Sequence, residues 1–287
     1  MFPDHFTFSI DNYVNKFVDW LIINHGEFFV NSSNFIVKLF IPFENLLRIS
    51  PWWLIISVIG VLSFFSTRSF KFSIVMMSLL FLMGILGLWD ESMQTLSLVL
   101  ISTFLVICLG LPLGILLSKS GKIRFFILPV LDAMQTLPSF VYLIPVLMLF
   151  GLGKVPALIA TIIYALPPVV KLTDLGIRQV DKRIIDATDS FGATAFQKLL
   201  KVELPLALPS IMLGINQATM MALSMVVIAS MIGNRGLGQE VLLGINTLDV
   251  GRGSAAGIAI VAMAIVIDRL TQSFSIKLQK NKGINQN

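Results

Sequence analysis

The sequence has few of the residues on which most enzymes and secreted domains depend. It contains one cysteine, Cys108, and two histidines, His5 and His25. A single cysteine excludes an internal disulfide. We expect no metal site, because cysteine and histidine do not cluster anywhere in the chain. Charged residues make up 13% of the chain, whereas a soluble domain carries about 25%.

Catalytic motifs are also missing from the sequence. It has no His-Glu-x-x-His zinc motif and no Gly-x-x-x-x-Gly-Lys-Ser/Thr phosphate-binding loop. We therefore expect no catalytic residue and no cofactor in this chain, which is predicted not to be an enzyme. If ATP and Mg²⁺ drive the protein, a partner ATPase subunit must bind them.

Apolar residues, at 56% of the chain, form runs that approach the roughly 20 residues needed to cross a bilayer. They predict an all-α polytopic membrane protein with about seven spans. Segment 125–136 is moderately apolar but contains Asp132 and Gln135, so we do not count it as a span. The predicted spans are two peripheral helices within residues 51–89, at 51–66 and 72–89, and five more at 96–118, 138–152, 155–170, 206–232 and 255–270.

The first 50 residues have a different pattern from the rest of the chain. Apolar residues recur at helical spacing from Val14 to Ile22 and again from Phe35 to Leu47, where Pro42 interrupts them. We expect two amphipathic helices that lie in the membrane interface, with packing on the protein itself as the alternative. At the other end, residues 276–287 are predicted to be a polar cytoplasmic tail.

Basic residues fall in alternate loops, and this pattern predicts an orientation. Loops 67–71 and 119–124 and the stretch 171–205 are rich in Lys and Arg, whereas loop 90–95 has acids and no base. By the positive-inside rule, the amino terminus lies outside and the carboxyl terminus in the cytoplasm. The same rule accounts for the net charge of +5. We expect contact with membrane lipid and none with nucleic acid.

The polar stretch 184–205, between two apolar spans, is the most informative part of the sequence. Asp186 and Asp189 open it, and Lys198 and Lys201 close its helical part, an order that complements a helix dipole. Gly192 interrupts the stretch. The pattern predicts a short cytoplasmic helix, a glycine break, a second helix and a return to the membrane. An ordinary amphipathic loop is the alternative.

This stretch resembles the conserved loop of ABC importer permeases. The family pattern is Glu-Ala-Ala, three residues, Gly, nine residues, Ile, any residue and Leu-Pro. The spacing here is the same, with Asp in place of Glu, Thr in place of Ala and Val in place of Ile. The resemblance implies a coupling helix that docks on a separate ATP-binding subunit. The matching residues are Asp186, Ala187, Thr188, Gly192, Val202, Leu204 and Pro205.

Other stretches are similar to the glycine betaine/proline branch of that family, namely 137–153, 164–168, 222–232, 236–239 and 268–272. The resemblance covers roughly residues 90–275 and implies the transmembrane domain of a type I ABC importer. Two permease copies would form the pathway, and an external solute-binding protein would deliver glycine betaine, proline or a related compatible solute. The alternatives are a permease for choline, carnitine, a sulfonate or an amino acid, or, from another class, a secondary carrier or an intramembrane enzyme.

Polar residues inside and outside the spans give two further candidate sites. Four residues of the sixth predicted span are candidates for lining the solute pathway, and hydrogen bonding between packed helices is the alternative. They are Asn216, Gln217, Met220 and Ser224. Four charged residues of the glycine-rich outer loop 233–253 are candidates for docking the binding protein, with a solvated loop as the alternative. They are Arg235, Glu240, Asp249 and Arg252. We also expect a local ion pair between Asp268 and Arg269.

Overall fold

The computed structural model describes residues 11–281, with side chains described for residues 11–279. Residues 1–10, with His5, and residues 282–287 of the predicted tail lie outside the described residues. The α-helices of the described chain are α1 (Asp11–Ile49), α2 (Trp52–Thr67), α3 (Phe70–Ile85), α4 (Trp89–Lys119), α5 (Gly121–Thr136), α6 (Leu143–Phe150), α7 (Lys154–Arg178), α8 (Lys182–Ser190), α9 (Ala195–Lys198), α10 (Leu204–Ser230), α11 (Leu237–Asn246) and α12 (Val250–Asn281).

Four helical segments of the described chain are long and apolar enough to cross a membrane: α4, α7, the run from α9 through α10, and α12. Two further units are bent pairs, in which α1 meets α2 at 99° and α5 meets the α6 segment at 111°. Helix α3 is apolar but shorter. These units agree with the predicted all-α membrane fold of about seven spans.

The fourth predicted span, 138–152, is wrong as a single helix. Pro138 has φ −55° and ψ 133°, and a 3₁₀ turn from Ser139 to Tyr142 separates it from α6. The eight residues of α6 extend about 12 Å at 1.5 Å per residue, whereas a bilayer core is about 30 Å thick. Segment 125–136, which was not counted as a span, lies in α5 and forms the other half of this unit.

The amino-terminal segment is one helix, where the sequence predicted two. Helix α1 continues through Pro42. Phe40 and Glu44, one turn apart on either side of that proline, are both buried against the rest of the protein. Contacts on both sides of Pro42 therefore hold the helix together where the sequence alone indicates a break.

The centre of the bundle is the three-helix contact in which α7 packs between α4 and α10. Glycines bring the backbones close together. A Cβ at Gly114 of α4 would lie 2.5 Å from Cβ of Thr173, and one at Gly176 of α7 would lie 2.7 Å from Cβ of Ser210. Small residues allow such close packing between membrane helices. Helix α12 packs against α10 and also against the peripheral helices α2 and α3.

Long-range contacts divide the bundle into two ends. At one end, Gly153 N donates to Ile232 O at 2.9 Å, and Leu237 N donates to Thr95 Oγ1 at 2.9 Å. This is the α11 end. At the other end, Lys277 Nζ donates to Phe65 O at 2.8 Å, and Lys119 pairs with Glu203. This is the α8 end, so α8 and α11 lie at opposite ends of the bundle.

Candidate coupling, pathway and docking sites

Residues 179–203, which we call the α8 arm, connect α7 to α10 at the α8 end. The carboxylate of Asp181 caps α8 by accepting a hydrogen bond from Arg183 N at 2.9 Å. The Arg183 guanidinium, and next its backbone N–H, lower the pKa of Asp181 below its ordinary value. The stabilisation by this cap is therefore complete above the ordinary pKa of Asp and is lost as the pH falls through the lowered value.

The predicted helix, glycine break and second helix are present in the α8 arm. Gly192 follows α8 with φ +73°, in the left-handed region that glycine adopts without strain. A capping box then starts α9, in which Gln197 N donates to Thr194 Oγ1 at 3.3 Å and Thr194 N donates to Gln197 Oε1 at 2.9 Å. The arm is therefore two helices joined by a defined turn.

A π turn at Leu199–Glu203, which the sequence analysis did not predict, joins α9 to α10. Leu204 N donates to Leu199 O, five residues back. Pro205 follows directly and has no N–H to continue an α-helical ladder. Such turns are rare in proteins, and those that do occur often lie at functional sites. The motif residues are distributed over the arm, with Asp186, Ala187 and Thr188 in α8, Gly192 in the break, Val202 in the π turn, and Leu204 and Pro205 at the start of α10.

The α8 arm exposes large apolar side chains next to its polar ones. No residue of α8 is buried, and the exposed fractions of Ile184, Phe191 and Phe196 are 42%, 91% and 69%. A shallow pocket lies between Ile184 and Phe191, over Ala187 and Thr188 of the motif. Contiguous exposed apolar surface marks interaction sites. Sequence reasoning missed both phenylalanines, although an apolar residue on each side of the Gly192 break is visible in the sequence.

The four candidate pathway residues of α10 do not share one environment. Asn216 Nδ2 donates to Asp268 Oδ1 of α12 at 3.0 Å, as the alternative of hydrogen bonding between helices predicted. Gln217 and Ser224 are exposed and Met220 is partly exposed. Their spacing of three and seven residues places them on one face of α10. The structure therefore separates Asn216 from the other three.

Asp268 lies in a different set of contacts from the one expected. Its nitrogen partners are Asn216 at 3.0 Å and Gln272 Nε2 at 2.8 Å. Arg269 Nε is 3.9 Å from the Asp268 carboxylate. The expected local ion pair is therefore a long contact, because consecutive residues on a helix point in different directions. Through Asn216, Asp268 joins α12 to α10.

The outer loop 233–253 contains a helix, α11, which the sequence analysis did not predict. Arg252 binds Glu240 through two hydrogen bonds of 2.6 and 3.1 Å, and Arg252 N donates to Asp249 Oδ1 at 3.0 Å. These three residues therefore hold α11 against the start of α12. Arg235 is exposed and lines a polar cleft with Arg48, Asp90, Glu91 and Gln239.

A buried carboxylate and two ion pairs at the α11 end were also missed. Glu44 of α1 is 2% exposed and accepts hydrogen bonds of 2.5 and 2.6 Å from Lys154 Nζ, at the start of α7. Arg48 binds the Asp90 carboxylate of α4 through bonds of 2.6 and 2.8 Å. An acid among the apolar residues of an amphipathic stretch was the available signal for Glu44, but no pattern in the sequence indicated its partner.

No group of three or more His, Cys, Asp or Glu within residues 11–281 is placed to hold a metal ion. The candidate sites of the described chain consist of ion pairs, apolar patches and helix ends.

Comparison with models of protein families gives a match over much of the chain. Residues 107–279 match the model for the binding-protein-dependent transport system inner membrane component. The matched region runs from within α4 to the last turn of α12 and includes the whole α8 arm. It leaves out α1, α2 and α3.

Curated relatives extend the match over nearly the whole chain. The chain is 44% identical over 278 residues to the glycine betaine/carnitine transport permease protein GbuB of Listeria monocytogenes, covering 96% of this chain and 98% of the relative. It is also 44% identical over 272 residues to the glycine betaine/proline betaine transport system permease protein ProW of Escherichia coli, covering 94% and 77%.

A solved structure has the same fold. An inward-facing form of the MetNI methionine ABC transporter has a chain that superposes with a TM-score of 0.58 at 20% identity, covering 68% of this chain and 95% of that chain. At this identity the likeness concerns the fold of the shared helices.

Proposed function

The chain belongs to the family of inner membrane components of binding-protein-dependent transport systems, and from this premise we propose that it is the permease subunit of an importer for glycine betaine or a related compatible solute. Its relatives include permeases named for glycine betaine with carnitine or with proline betaine. The observation that supports the proposed class of solute is the high identity to these relatives over nearly the full length of the chain. A permease for choline, carnitine, proline or another small solute is the second candidate.

The α8 arm is the proposed contact with a separate ATP-binding subunit. Support comes from the exposed apolar side chains Phe191 and Phe196 beside the motif residues, a composition typical of interface cores. The ATP-binding subunit would bind ATP and Mg²⁺ and supply the hydrolysis. Closure of its dimer on ATP would push the arm, and the spans would rotate and open the pathway outward.

A second copy of the chain completes the proposed pathway. Gln217, Met220 and Ser224 form a face of α10 that this single chain leaves accessible. Polar groups facing lipid inside a membrane are unfavourable. This face therefore suits a water-filled pathway between two copies, whereas Asn216 serves the contact between α10 and α12.

The α11 end is the proposed docking surface for an external solute-binding protein. It combines the exposed Arg235 with the exposed apolar residues Ile245, Leu248 and Val250. Glu240, Asp249 and Arg252 support this surface by fixing α11 to α12. The α8 end would then be cytoplasmic, with the amino terminus outside. The angle of 99° between α1 and α2 suits an α1 that lies in the outer membrane interface.

Uptake by the reconstituted complex tests the proposed function. Liposomes would contain this chain with its ATP-binding subunit and ATP inside, and the binding protein and labelled glycine betaine outside. We expect ATP-dependent uptake, which unlabelled carnitine or choline would reduce if they share the pathway. If ATP hydrolysis responds to the binding protein but no betaine is taken up, the proposed solute is wrong and the proposed importer function stands. Failure to copurify with any ATP-binding subunit would overturn the proposal.

Cysteine labelling in intact cells tests the proposed orientation. In a Cys108→Ser background, Asn246→Cys in α11 and Ser190→Cys in α8 place thiols at exposed positions of opposite ends. A membrane-impermeant maleimide is expected to label Asn246→Cys directly and Ser190→Cys only after permeabilisation. The reverse pattern would invert the orientation of the whole bundle.

A further inference from the structure

Two buried carboxylates stand where the α8 arm joins the bundle. Asp174, near the end of α7, is 2% exposed, and Glu203, the last residue of the π turn, is 5% exposed. Burying a carboxylate is unfavourable unless a cation and hydrogen bonds compensate it. The cations that pair with these two residues therefore show which part of the bundle is held to the junction of the arm.

Both carboxylates bind basic residues of the same short turn, residues 119–124 between α4 and α5. Glu203 accepts a hydrogen bond from Lys119 Nζ, on the last residue of α4. Asp174 accepts one of 2.9 Å from Arg124 Nε, in the first turn of α5, and one of 3.1 Å from Arg178 Nε, one turn further along α7. Among the ion pairs of residues 11–281, Lys119–Glu203 is the one that fastens the α8 arm to another part of the bundle.

Apolar packing reinforces the Glu203 connection. Leu199 and Leu204, at the two ends of the π turn, pack with Leu111 and Ile115 of α4 around a buried cluster formed by Ile177, Ala207 and Ile211. The π turn is thus held to α4 by an ion pair and by apolar contacts. A displacement of the arm has to carry α4 with it or leave Glu203 buried without a cation.

We propose that the α4–α5 turn is a second output of the α8 arm, in addition to the direct chain connection into α10. Lys119 transmits displacement of the π turn to α4, and Arg124 holds the start of α5 to the end of α7. In this proposal Lys119, Glu203, Arg124 and Asp174 are positioning residues, which act by holding helices together. The inference rests on the proposed function, because it needs an ATP-binding subunit that moves the arm.

The test measures solute uptake and ATP hydrolysis on the same proteoliposomes and compares their ratio. Lys119→Met combined with Glu203→Gln removes the ionic link without leaving a buried charge unpaired. We expect its uptake per ATP hydrolysed to fall about tenfold, while copurification of the ATP-binding subunit is unchanged. Lys119→Arg keeps the charge and is expected to preserve the ratio.

Two controls separate the link from general damage. Arg269→Gln removes a cation that is largely exposed and lies outside the arm, 3.9 Å from Asp268 in α12, and is expected to keep the uptake ratio within about twofold, since exposed pairs contribute little. The charge exchange Lys119→Glu with Glu203→Lys rebuilds the pair in reverse and is expected to restore most of the coupling that the neutral pair loses.

The outcomes distinguish this inference from the proposed function. An unchanged ratio in the assembled Lys119→Met/Glu203→Gln protein would overturn the inference and leave the importer standing. So would an equal loss in the Arg269→Gln control. If the unaltered chain itself fails to associate with an ATP-binding subunit, the proposed function falls, and the inference with it. If the unaltered complex hydrolyses ATP in response to the binding protein but carries another solute, the same ratio is measured with that solute.

Discussion

Gly192→Val is expected to lower ATP-dependent uptake about tenfold, whereas Gly192→Asn keeps it within about twofold. Gly192 has φ +73°, where an ordinary L-residue is disfavoured by roughly 1–2 kcal/mol and a branched residue is a marked outlier, but where Asn is tolerated. No atom outside residues 191–193 lies within 4 Å of a Cβ built there. Backbone strain at residue 192 is therefore the only unfavourable effect of the substitution within the chain. We expect this strain to move the α8 arm away from the arrangement that binds the ATP-binding subunit.

Gly192→Asp isolates a second effect at the same position. Asp and Asn have nearly the same shape and both tolerate a positive φ, so the pair differs mainly in charge. Phe191, beside the break, is 91% exposed, and a carboxylate next to an apolar docking surface has to be desolvated on binding. We expect Gly192→Asp to hydrolyse ATP with little uptake. Normal uptake by a properly assembled Gly192→Asp protein would contradict the proposed role of the break.

The α8 arm was predictable because its signals are local. The order of acids and bases, one glycine and one proline define a helix, a turn and a return to the membrane within about 20 residues. The π turn escaped prediction for a physical reason. Its last residue, Glu203, is buried against Lys119, and that partner is 84 residues away in the sequence.

The α5–α6 unit shows where reasoning from hydropathy fails. Residues 138–152 are more apolar than 125–136, so a count of apolar residues favours the wrong segment. The bend is set by the backbone of Pro138 and the 3₁₀ turn after it. Tyr142 also donates a hydrogen bond to Met134 O across the bend, and only the folded chain brings those two residues together.

The candidate site residues differ in the contacts that they make in the structure. Four charges of the outer loop were singled out as docking candidates, but Glu240, Asp249 and Arg252 bind one another, and only Arg235 of the four projects without such a partner in the described chain. Asn216 was chosen as a polar residue within a span, and in the structure its side-chain amide donates a hydrogen bond to Asp268 of α12. A side chain's partner across the bundle is not encoded in its own neighbourhood.

Lys154→Met is expected to lower the free energy of unfolding of the detergent-solubilised protein by about 3 kcal/mol, because it leaves a buried carboxylate without its main cation. Glu44 is 2% exposed, and after this change its remaining cation is Arg48, whose Nη1 is 3.6 Å away and which also binds Asp90. Chemical denaturation followed by intrinsic tryptophan fluorescence measures the change. Arg183→Gln, which breaks a solvent-exposed pair with Asp181, is the control and is expected to have no measurable effect.

The double variant Glu44→Leu/Lys154→Met decides whether charge or shape is responsible. With neither charge present, no buried carboxylate remains unpaired, and apolar residues of similar size often replace a buried ion pair without loss. We therefore expect the double variant to recover most of the stability that Lys154→Met loses. If both variants are equally unstable, the contribution lies in the specific contact of α1 with α7, and limited proteolysis should then release α1 from both. Recovery in the double variant instead means that the unpaired carboxylate of Glu44 causes the loss of stability, and that Lys154 at the start of α7 serves to neutralise its charge.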